Sequence, residues 1–225
     1  MDKIEINAFL EESGIIPGGV YLLYGKPRVG KTALSLSIAS NSVREKKRAL
    51  IIYSRPRFPA ERIAGILTLE ELSLINVCTP QSLKEQTNMI SRVEFLCKQK
   101  SFTVIVDEIT DLYTMSLSAG GFSTSSIREA AYEINKQLGF LSDFAKSYNA
   151  LCLVTCEERE GGESTLPLQR ILLYWPEKVF HMTIDARNRL LLKAIKPEGK
   201  LEFEYKIDKG LVISIEPRAL GDFVQ

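Results

Sequence analysis

The sequence lacks the features that mark membrane-inserted and secreted proteins. No apolar run in its 225 residues approaches the ~20 residues that a bilayer-spanning helix needs. The amino-terminal stretch MDKIEINAFLEESG is acidic and polar, whereas a signal peptide would be basic and then apolar. These absences predict a cytoplasmic protein with no membrane partner.

Cysteine and histidine are also scarce. The cysteines are Cys78, Cys97, Cys152 and Cys156. The spacing of Cys152 and Cys156 suits neither a zinc knuckle nor a redox pair, so buried free thiols are predicted. The single histidine, His181, has no partner histidine, and we expect a half-buried strand residue without a catalytic role.

Net charge is nearly absent as well. The chain has 29 basic and 28 acidic residues, so no overall field draws it onto nucleic acid or an anionic membrane. Any such attraction must come from local patches. With 45% hydrophobic and 25% charged residues, the composition is that of an ordinary globular protein long enough to bury a core.

Strand-like and helical segments alternate over most of the chain. Strands are predicted in VYLLYG, RALIIYS, LINVCTP, FTVIVDE and ALCLVTC. Helices are predicted in KTALSLSIASNSVREKK, AERIAGILTLEEL, QSLKEQTNMISRVEFLCKQK and IREAAYEINKQLGFLSDFAKSYN. Strands that are apolar on both faces and alternate with helices favour a parallel α/β sheet.

The pattern changes toward the carboxyl terminus. We predict three strand-like runs there, in a segment that contains the turn sequences ARN, PEGK and DKG. In the middle run, apolar residues from Leu201 to Ile207 alternate with charged ones, as in a half-solvated antiparallel strand. We predict a single domain over residues 1–225, with an N-terminal extension over 1–18 and antiparallel strands over 179–216.

The stretch YGKPRVGKTA lies between a predicted strand and a predicted helix and contains the pattern G-x-x-x-x-G-K-T. Glycines at both ends let the loop curl the unpaired N–H groups of a helix start around a phosphate. Lys31 can reach the outer phosphates of a nucleotide, and the Thr32 hydroxyl can ligate Mg²⁺. The predicted nucleotide-binding residues of this loop are Gly25, Lys26, Pro27, Arg28, Val29, Gly30, Lys31, Thr32 and Ala33.

A phosphate loop also needs an acid for the Mg²⁺ shell, at the end of a neighbouring strand. In TVIVDEI, Asp107 ends the apolar run and Glu108 follows. A carboxylate at this end of a strand lies where open α/β sheets bind their ligands. Thr32 and Asp107 are therefore the predicted metal ligands, and ATP and Mg²⁺ the predicted cofactors.

These motifs and their surroundings resemble the ATPase core of the RecA/RadA recombinases, most of all the short archaeal RadA paralogues of the RadB or RadC kind. The similarity runs from GIIPGGVYLLYGKPRVGKTAL through VIVDEITDLY and INKQLGFLSDFAKSYNALCLVT to KAIKPEGKLEFEYKIDKGLV, nearly the whole chain. The resemblance implies a RecA-like P-loop NTPase core, with a mostly parallel sheet flanked by helices and C-terminal antiparallel strands. It also implies that Arg62, in FPAER, lies near the adenine.

The sequence departs from the family pattern at two positions. Where the family has a glutamate that activates the attacking water, this chain has Arg55, which cannot act as a base. Where the family has a glutamine that senses the γ-phosphate, this chain has Glu157, which only accepts hydrogen bonds when ionised. We therefore predict ATP binding with slow hydrolysis, in which Lys31 is catalytic and Glu108 is the candidate replacement base.

Two loops hold single-stranded DNA in RecA-like proteins, and their counterparts here are LYTMSLSAGGFSTSS and EEREGGESTLPLQR. They contain few basic residues, so they form a poor electrostatic groove, and their composition is typical of mobile loops. Basic residues collect instead between residues 41 and 62, where they either contact single strands or simply complement the helix dipole in solvent. The candidate DNA contacts are Arg44, Lys46, Lys47, Arg48, Arg55, Arg57, Arg159 and Arg170. Arg55 and Arg57 are also candidates to meet the nucleotide of an adjacent subunit.

The resemblance implies an accessory or regulatory factor in DNA repair and homologous recombination, with a weak ATPase activity. Its implied partners are single-stranded DNA and a full-length RadA-type recombinase. Two alternatives stay open: a KaiC-like signalling ATPase on the same fold, and a non-hydrolysing interaction module that uses nucleotide as a structural ligand. A small-molecule kinase would need an arginine-rich lid, which these acidic or neutral loops do not supply.

Overall fold

The computed structural model describes residues 3–96, 102–120, 123–159, 166–197 and 201–218. Within these residues, nine strands form one sheet in the order β3-β2-β4-β5-β1-β6-β7-β8-β9. The strands are β1 (Val20–Gly25), β2 (Arg48–Tyr53), β3 (Ile75–Cys78), β4 (Phe102–Asp107), β5 (Leu151–Glu157), β6 (Lys178–Ile184), β7 (Leu190–Lys196), β8 (Glu202–Asp208) and β9 (Leu211–Pro217).

The sheet combines a parallel part with an antiparallel one. Strands β1 to β6 pair in parallel, and β7, β8 and β9 extend the sheet by antiparallel pairing. The predicted fold class is therefore confirmed. The carboxyl-terminal part contains four strands rather than three, and the first of them, β6, is parallel to β1.

Helices cover both faces of the sheet in the described residues. They are α1 (Lys3–Ser13), α2 (Lys31–Arg44), α3 (Glu61–Ala64), α4 (Leu69–Leu72), α5 (Leu83–Ser91), α6 (Val93–Leu96), α7 (Asp111–Gly120), α8 (Thr124–Tyr148) and α9 (Gln169–Tyr174). One core cluster includes apolar residues of α1 and α2, and a second includes those of α5, α7 and α8. The neighbours Ile105 and Val106 belong to different clusters, because successive strand side chains point to opposite faces. None of the helices in the described part of the chain has the length and apolarity needed to cross a membrane.

Two of the predicted helices are divided. AERIAGILTLEEL forms the short helices α3 and α4, because Thr68 starts α4 with a capping box. QSLKEQTNMISRVEFLCKQK is interrupted at Arg92 between α5 and α6, and its end at residues 97–100 lies outside the described residues. Arg62 lies on α3, so the short helix α3 belongs to the wall of the candidate site described below.

The prediction of a loop in LYTMSLSAGGFSTSS is wrong for most of that stretch. Helix α7 extends from Asp111 to Gly120, and the Ser123 hydroxyl caps α8, which begins at Thr124. Small polar residues suggested a loop, but buried Leu112, Tyr113 and Leu117 dock α7 against the core. Of the second predicted loop, residues 160–165 lie outside the described part.

The thiol prediction holds in part. Cys152 and Cys156 are buried free thiols, and Cys78 is a free thiol that is half-buried. Burial raises the pKa of Cys156 to about 12, which keeps it protonated and unreactive. Cys97 lies outside the described residues.

The parallel register brings four strand ends to one edge of the sheet. Gly25, at the end of β1, lies opposite Glu157, at the end of β5. Tyr53, at the end of β2, lies opposite Asp107, at the end of β4. The residues that follow these strands therefore meet at the edge where open α/β sheets bind ligands.

Candidate nucleotide-binding site

The loop between β1 and α2 begins at Gly25 and ends at Gly30, and the structure requires glycine at both positions. Gly30 precedes α2 with φ of 98°, a left-handed conformation that glycine adopts without strain. A Cβ at Gly25 would lie 2.2 Å from the carbonyl oxygen of Met182, so β6 excludes a larger residue there. The first N–H groups of α2 lack intrahelical partners, and the loop holds them at a position suited to an anion.

A tyrosine from the antiparallel strands braces this loop. The hydroxyl of Tyr205, on β8, donates a hydrogen bond to the carbonyl oxygen of Val29. Burial raises the pKa of the Tyr205 phenol above its ordinary value of 10.0, so it stays protonated and able to donate. The side chain of Ile207, also on β8, lies against Gly30. The carboxyl-terminal strands thus form one wall of the site.

Lys31 is almost completely buried and makes three internal contacts. Its Nζ donates to the carbonyl oxygens of Gly25 and Lys26 at 2.9 and 3.0 Å. It also lies 3.2 Å from Oε1 of Glu108. An ammonium group has three N–H donors, so these acceptors match its full capacity. A phosphate oxygen can therefore accept from Lys31 only if it replaces one of these acceptors.

Thr32 and Asp107 meet beneath the loop. The Thr32 hydroxyl donates to Oδ2 of Asp107 at 2.8 Å, and the Thr155 hydroxyl donates to Oδ1 at 2.9 Å. Burial raises the pKa of Asp107, while these two hydrogen bonds oppose the rise. A hydroxyl and a carboxylate are oxygen ligands of the kind that Mg²⁺ prefers, and the residues present fit that ion.

No group of three or more histidine, cysteine, aspartate or glutamate side chains in the described residues forms a metal site. Mg²⁺ does not require such a cage, because it binds through one or two protein oxygens together with phosphate oxygens and water. The Thr32–Asp107 pair therefore fits a metal that arrives with a nucleotide and not one held by protein ligands alone.

Glu108 is the most unusual carboxylate of the site. Its side chain is 3% exposed, and its backbone has φ of 57°, an uncommon left-handed conformation for a residue with a side chain. The Thr155 hydroxyl accepts a hydrogen bond from its N–H at 2.7 Å. Burial raises the pKa of Glu108 to about 7, Lys31 opposes the rise, and Asp107 adds to it. The same threonine thus orients both acids that follow β4.

Arg55 approaches the same oxygen of Glu108 as Lys31 does and is held by acids. Its Nε is 3.0 Å from Oδ2 of Asp111, and its Nη2 is 2.9 Å from Oε2 of Glu157. Nη2 is also 3.9 Å from Oε1 of Glu108. Arg55 and Glu157, the two positions predicted to depart from the family pattern, therefore form an ion pair with each other.

These groups surround a cavity of about 310 Å³. Its lining comprises Arg28, Gly30, Lys31, Thr32, Ala33, Arg55, Arg62, Glu108, Glu157, Ile207 and Gly210. Arg62 reaches it from α3 and packs over Gly210, where a Cβ would lie 2.6 Å from its Cδ. Of the other predicted loop residues, Lys26 and Pro27 are exposed, and Val29 is buried behind the cavity. The structure thus brings Arg62 and the phosphate loop to one pocket.

Comparison with known proteins gives the family. The DNA repair and recombination protein RadB of Archaeoglobus fulgidus is 31% identical over 211 residues, which cover 88% of this chain and 90% of that protein. The chain belongs to the RadA/RadB family of DNA repair proteins. RadB of Methanococcoides burtonii is 29% identical over 146 residues, 63% of this chain and 62% of that protein.

The RadA/RadB family also includes longer proteins. The DNA repair protein RadA of Helicobacter pylori strain J99 is 28% identical over 218 residues, 92% of this chain. The match spans only 44% of that protein, so this chain corresponds to less than half the length of such RadA relatives. No protein-family model matches the chain. The resemblance to the RecA/RadA family and to RadB is confirmed.

The predicted DNA contacts of this RadA/RadB family member do not form one surface. Arg44, Lys46, Lys47 and Arg48 lie at the amino end of β2, whereas Arg55 and Arg57 follow its carboxyl end. The six residues of β2, roughly 20 Å of strand, separate the two groups. The sequence cluster between residues 41 and 62 is therefore split between opposite edges of the sheet.

Several of these basic residues are engaged on the protein surface. Lys46 pairs with Glu70 and Lys47 with Glu45, both at 2.8 Å. Arg44 donates to the carbonyl oxygen of Ile66 at 3.0 Å. At the other edge, the guanidinium of Arg159 lies 5.8 Å from the ring centre of Tyr113, and Arg170 is exposed on α9. Exposed pairs of this kind are weak, so they leave the side chains able to rearrange.

Sequence patterns gave no signal for several residues that complete the site. Asp111, Thr155 and Tyr205 each hold a predicted residue in place. Outside the lining of the cavity, His181 is a half-buried residue of β6, as predicted, and stacks on Tyr24 with ring centres 4.5 Å apart. His181 also pairs with Glu158, the neighbour of Glu157. None of these residues belongs to a local motif, because their partners lie far away in the sequence.

Proposed function

We propose that this protein binds ATP together with Mg²⁺ and acts in DNA repair or recombination as a nucleotide-dependent accessory factor. The observation that carries the proposal is the 2.8 Å contact between the Thr32 hydroxyl and the Asp107 carboxylate beneath a glycine-bounded loop. The RadA and RadB names of its relatives support the DNA repair role. We place a recombination factor of this type in the cytoplasm.

Each part of the site has a separate task in this proposal. The N–H groups at the start of α2 bind the inner phosphates, and Lys31 moves from its internal acceptors to the outer ones. Thr32 and Asp107 provide two oxygen ligands for the metal. Bound Mg²⁺ would neutralise phosphate charge during hydrolysis. Arg62, on the opposite wall of the cavity, supplies a flat cationic surface for the adenine.

Hydrolysis is slow in this proposal, because no free carboxylate stands at the end of β2. Arg55 occupies that position and stays protonated at any working pH. Glu108 is the nearest alternative base, since it lines the same cavity as Lys31 and Thr32. Its Oε1 lies 3.2 Å from Nζ of Lys31, whereas its Oε2 has no hydrogen-bond partner among the described residues and is the oxygen that would accept a proton from water.

Calorimetric titration with ADP and Mg²⁺ tests the site. Lys31→Ala should weaken binding by roughly ten- to a hundredfold, because a hydrogen bond to a charged group is worth about 1.5–3 kcal/mol. Lys26→Ala is the matched control, since Lys26 is an exposed lysine of the same loop. This substitution keeps the main-chain carbonyl group that accepts a hydrogen bond from Lys31. Asp107→Asn should remove the Mg²⁺ dependence. Equal affinities of Lys31→Ala and wild type would refute the phosphate-loop assignment.

One observation favours a second candidate, a nucleotide-binding interaction module without hydrolysis. Arg55 and Glu157 neutralise each other at the place where the attacking water would be activated. Turnover by wild type no greater than by Lys31→Ala, with ADP affinity intact, would select this candidate. Strong salt-sensitive binding of single-stranded DNA would instead favour a recombination factor over a KaiC-like signalling ATPase.

A further inference from the structure

Arg55 is the point of contact between two cavities at the carboxyl edge of the sheet. One is the 310 Å³ nucleotide cavity. The other, of about 740 Å³, is lined by residues that follow β2 and β5 and by residues of α7. Arg55 and Glu157 line both, and their ion pair separates the two spaces. With 44% of its side chain exposed, Arg55 has room to turn toward either cavity.

A carboxylate oxygen marks an anion position within the nucleotide cavity. Oε1 of Glu108 lies 3.2 Å from Nζ of Lys31 and 3.9 Å from Nη2 of Arg55. Two cations from different strand ends thus converge on one oxygen. A phosphate group, which accepts hydrogen bonds from several donors at once, has the charge and geometry to take that place between them.

The order of the strands determines which phosphate Arg55 can reach. The phosphate loop follows β1 and Arg55 follows β2, with β4 and β5 between them. The loop amides hold the inner phosphates next to β1. Arg55 therefore approaches from the side opposite the loop, where the last phosphate of a triphosphate would stand and where a diphosphate has no group.

We propose that Arg55 binds the terminal phosphate of a nucleoside triphosphate held by the same chain, and that Glu157 is the anion it leaves to do so. The inference rests on the proposed nucleotide site and adds the basis of its specificity. With a diphosphate, Arg55 keeps its contacts at 2.9 Å and 3.0 Å to the two acids. With a triphosphate, the guanidinium exchanges Glu157 for the phosphate. The chain then discriminates ATP from ADP without a residue from a neighbouring subunit.

The test compares the Mg²⁺ complexes of ADP and of a non-hydrolysable ATP analogue by calorimetry. Arg55→Gln should weaken analogue binding about tenfold, the loss expected for one charge-assisted hydrogen bond, and leave ADP binding within about twofold. Arg57→Gln, an exposed arginine of the same segment, is the matched control and should change neither. Glu157→Gln should strengthen analogue binding by a few-fold, because it removes the competing anion.

Failure of the role of Arg55 and failure of the nucleotide site give different results in this experiment. Equal losses for ADP and analogue in Arg55→Gln, or no loss for either, would overturn the role of Arg55 while the nucleotide site stands. Failure of the wild type to bind either ligand would overturn both. Mixing Lys31→Ala with Arg55→Gln should not restore tight analogue binding, whereas restoration would show that Arg55 acts on a neighbouring chain.

Discussion

Arg55 and Glu157 are 102 residues apart in the sequence, and their side chains form an ion pair with 2.9 Å between Nη2 and Oε2. They are the two residues at which the sequence is predicted to depart from the pattern of the RecA/RadA family, and the structure brings them together. Glu157 and Asp111 balance the charge of Arg55 at the end of β2. In the proposed function, this ion pair stands where the family resemblance predicts a water-activating glutamate, and this is the reason to expect slow hydrolysis.

Restoring a carboxylate at the end of β2 should raise turnover only when Glu157 is changed as well. Arg55→Glu alone places a new acid beside Asp111, Glu108 and Glu157, and we expect a loss of about 1 kcal/mol in the free energy of unfolding, moderated by solvent screening. The double variant Arg55→Glu/Glu157→Gln removes one of these charges and should hydrolyse ATP at least tenfold faster than wild type. Urea denaturation and phosphate release measure the two effects. An unchanged rate in the double variant would place the base elsewhere.

Glu108→Gln should slow ATP hydrolysis by ~10²–10⁴, the usual effect of losing a positioned base. Binding of ADP should persist, because Lys31 keeps its two carbonyl acceptors. Glu158→Gln is a suitable control, since Glu158 lies at the same edge but lines the neighbouring cavity. Phosphate release under single-turnover conditions gives the rate of the chemical step. Equal rates for Glu108→Gln and Glu158→Gln would exclude Glu108 as the base.

Tyr205→Phe should destabilise the protein by about 1–2 kcal/mol, because the carbonyl group of buried Val29 loses its hydrogen-bond donor. It should also weaken ADP binding, since Val29 belongs to the phosphate loop. Chemical denaturation and calorimetry measure the two losses. A variant that binds ADP as wild type does would show that the loop needs no support from β8.

The same tyrosine gives a pH dependence whose sign follows from burial. Because burial raises the pKa of Tyr205 above 10.0, the folded protein keeps the phenol protonated where the unfolded chain ionises it. The protonated Tyr205 phenol contributes fully to the free energy of unfolding below pH 10, and this contribution declines as the pH rises further. The free energy of unfolding should therefore fall less steeply above pH 10 in Tyr205→Phe than in wild type. Parallel slopes would contradict the burial argument.

We expect single-stranded DNA to bind to basic residues at the carboxyl edge of the sheet more than to those at the amino edge. We expect that replacing Arg57, Arg159 and Arg170 with alanine weakens binding and makes the slope of log affinity against log salt shallower by about two, which is about 0.7 for each of the three phosphates no longer neutralised. Replacing Lys46, Lys47 and Arg48 is the matched control at the opposite edge and should have a smaller effect. Fluorescence anisotropy with an oligothymidylate at several salt concentrations measures both. A larger effect in the control set would move the binding surface to the amino edge.

Local patterns predicted the parts of this protein that depend on neighbours in sequence. The strand–loop–helix around Lys31, the acid at the end of β4 and the alternation in β8 all follow from periodicity or from a short motif, and the structure contains each of them. The helix α7 was missed because its small polar residues look like a loop, whereas docking of Leu112 and Leu117 decides its conformation. Local preference is weak there, and tertiary contacts override it.

Residue order alone was enough to locate the loop that can hold a phosphate and the strand end that supplies an acid. Folding was needed to bring Arg55 to Glu157, to rest Lys31 against Glu108, and to brace the phosphate loop with Tyr205. It also divided one basic cluster of the sequence between two edges of the sheet. Charge pairing and packing depend on distance in space, and a parallel sheet joins strand ends that are far apart along the chain.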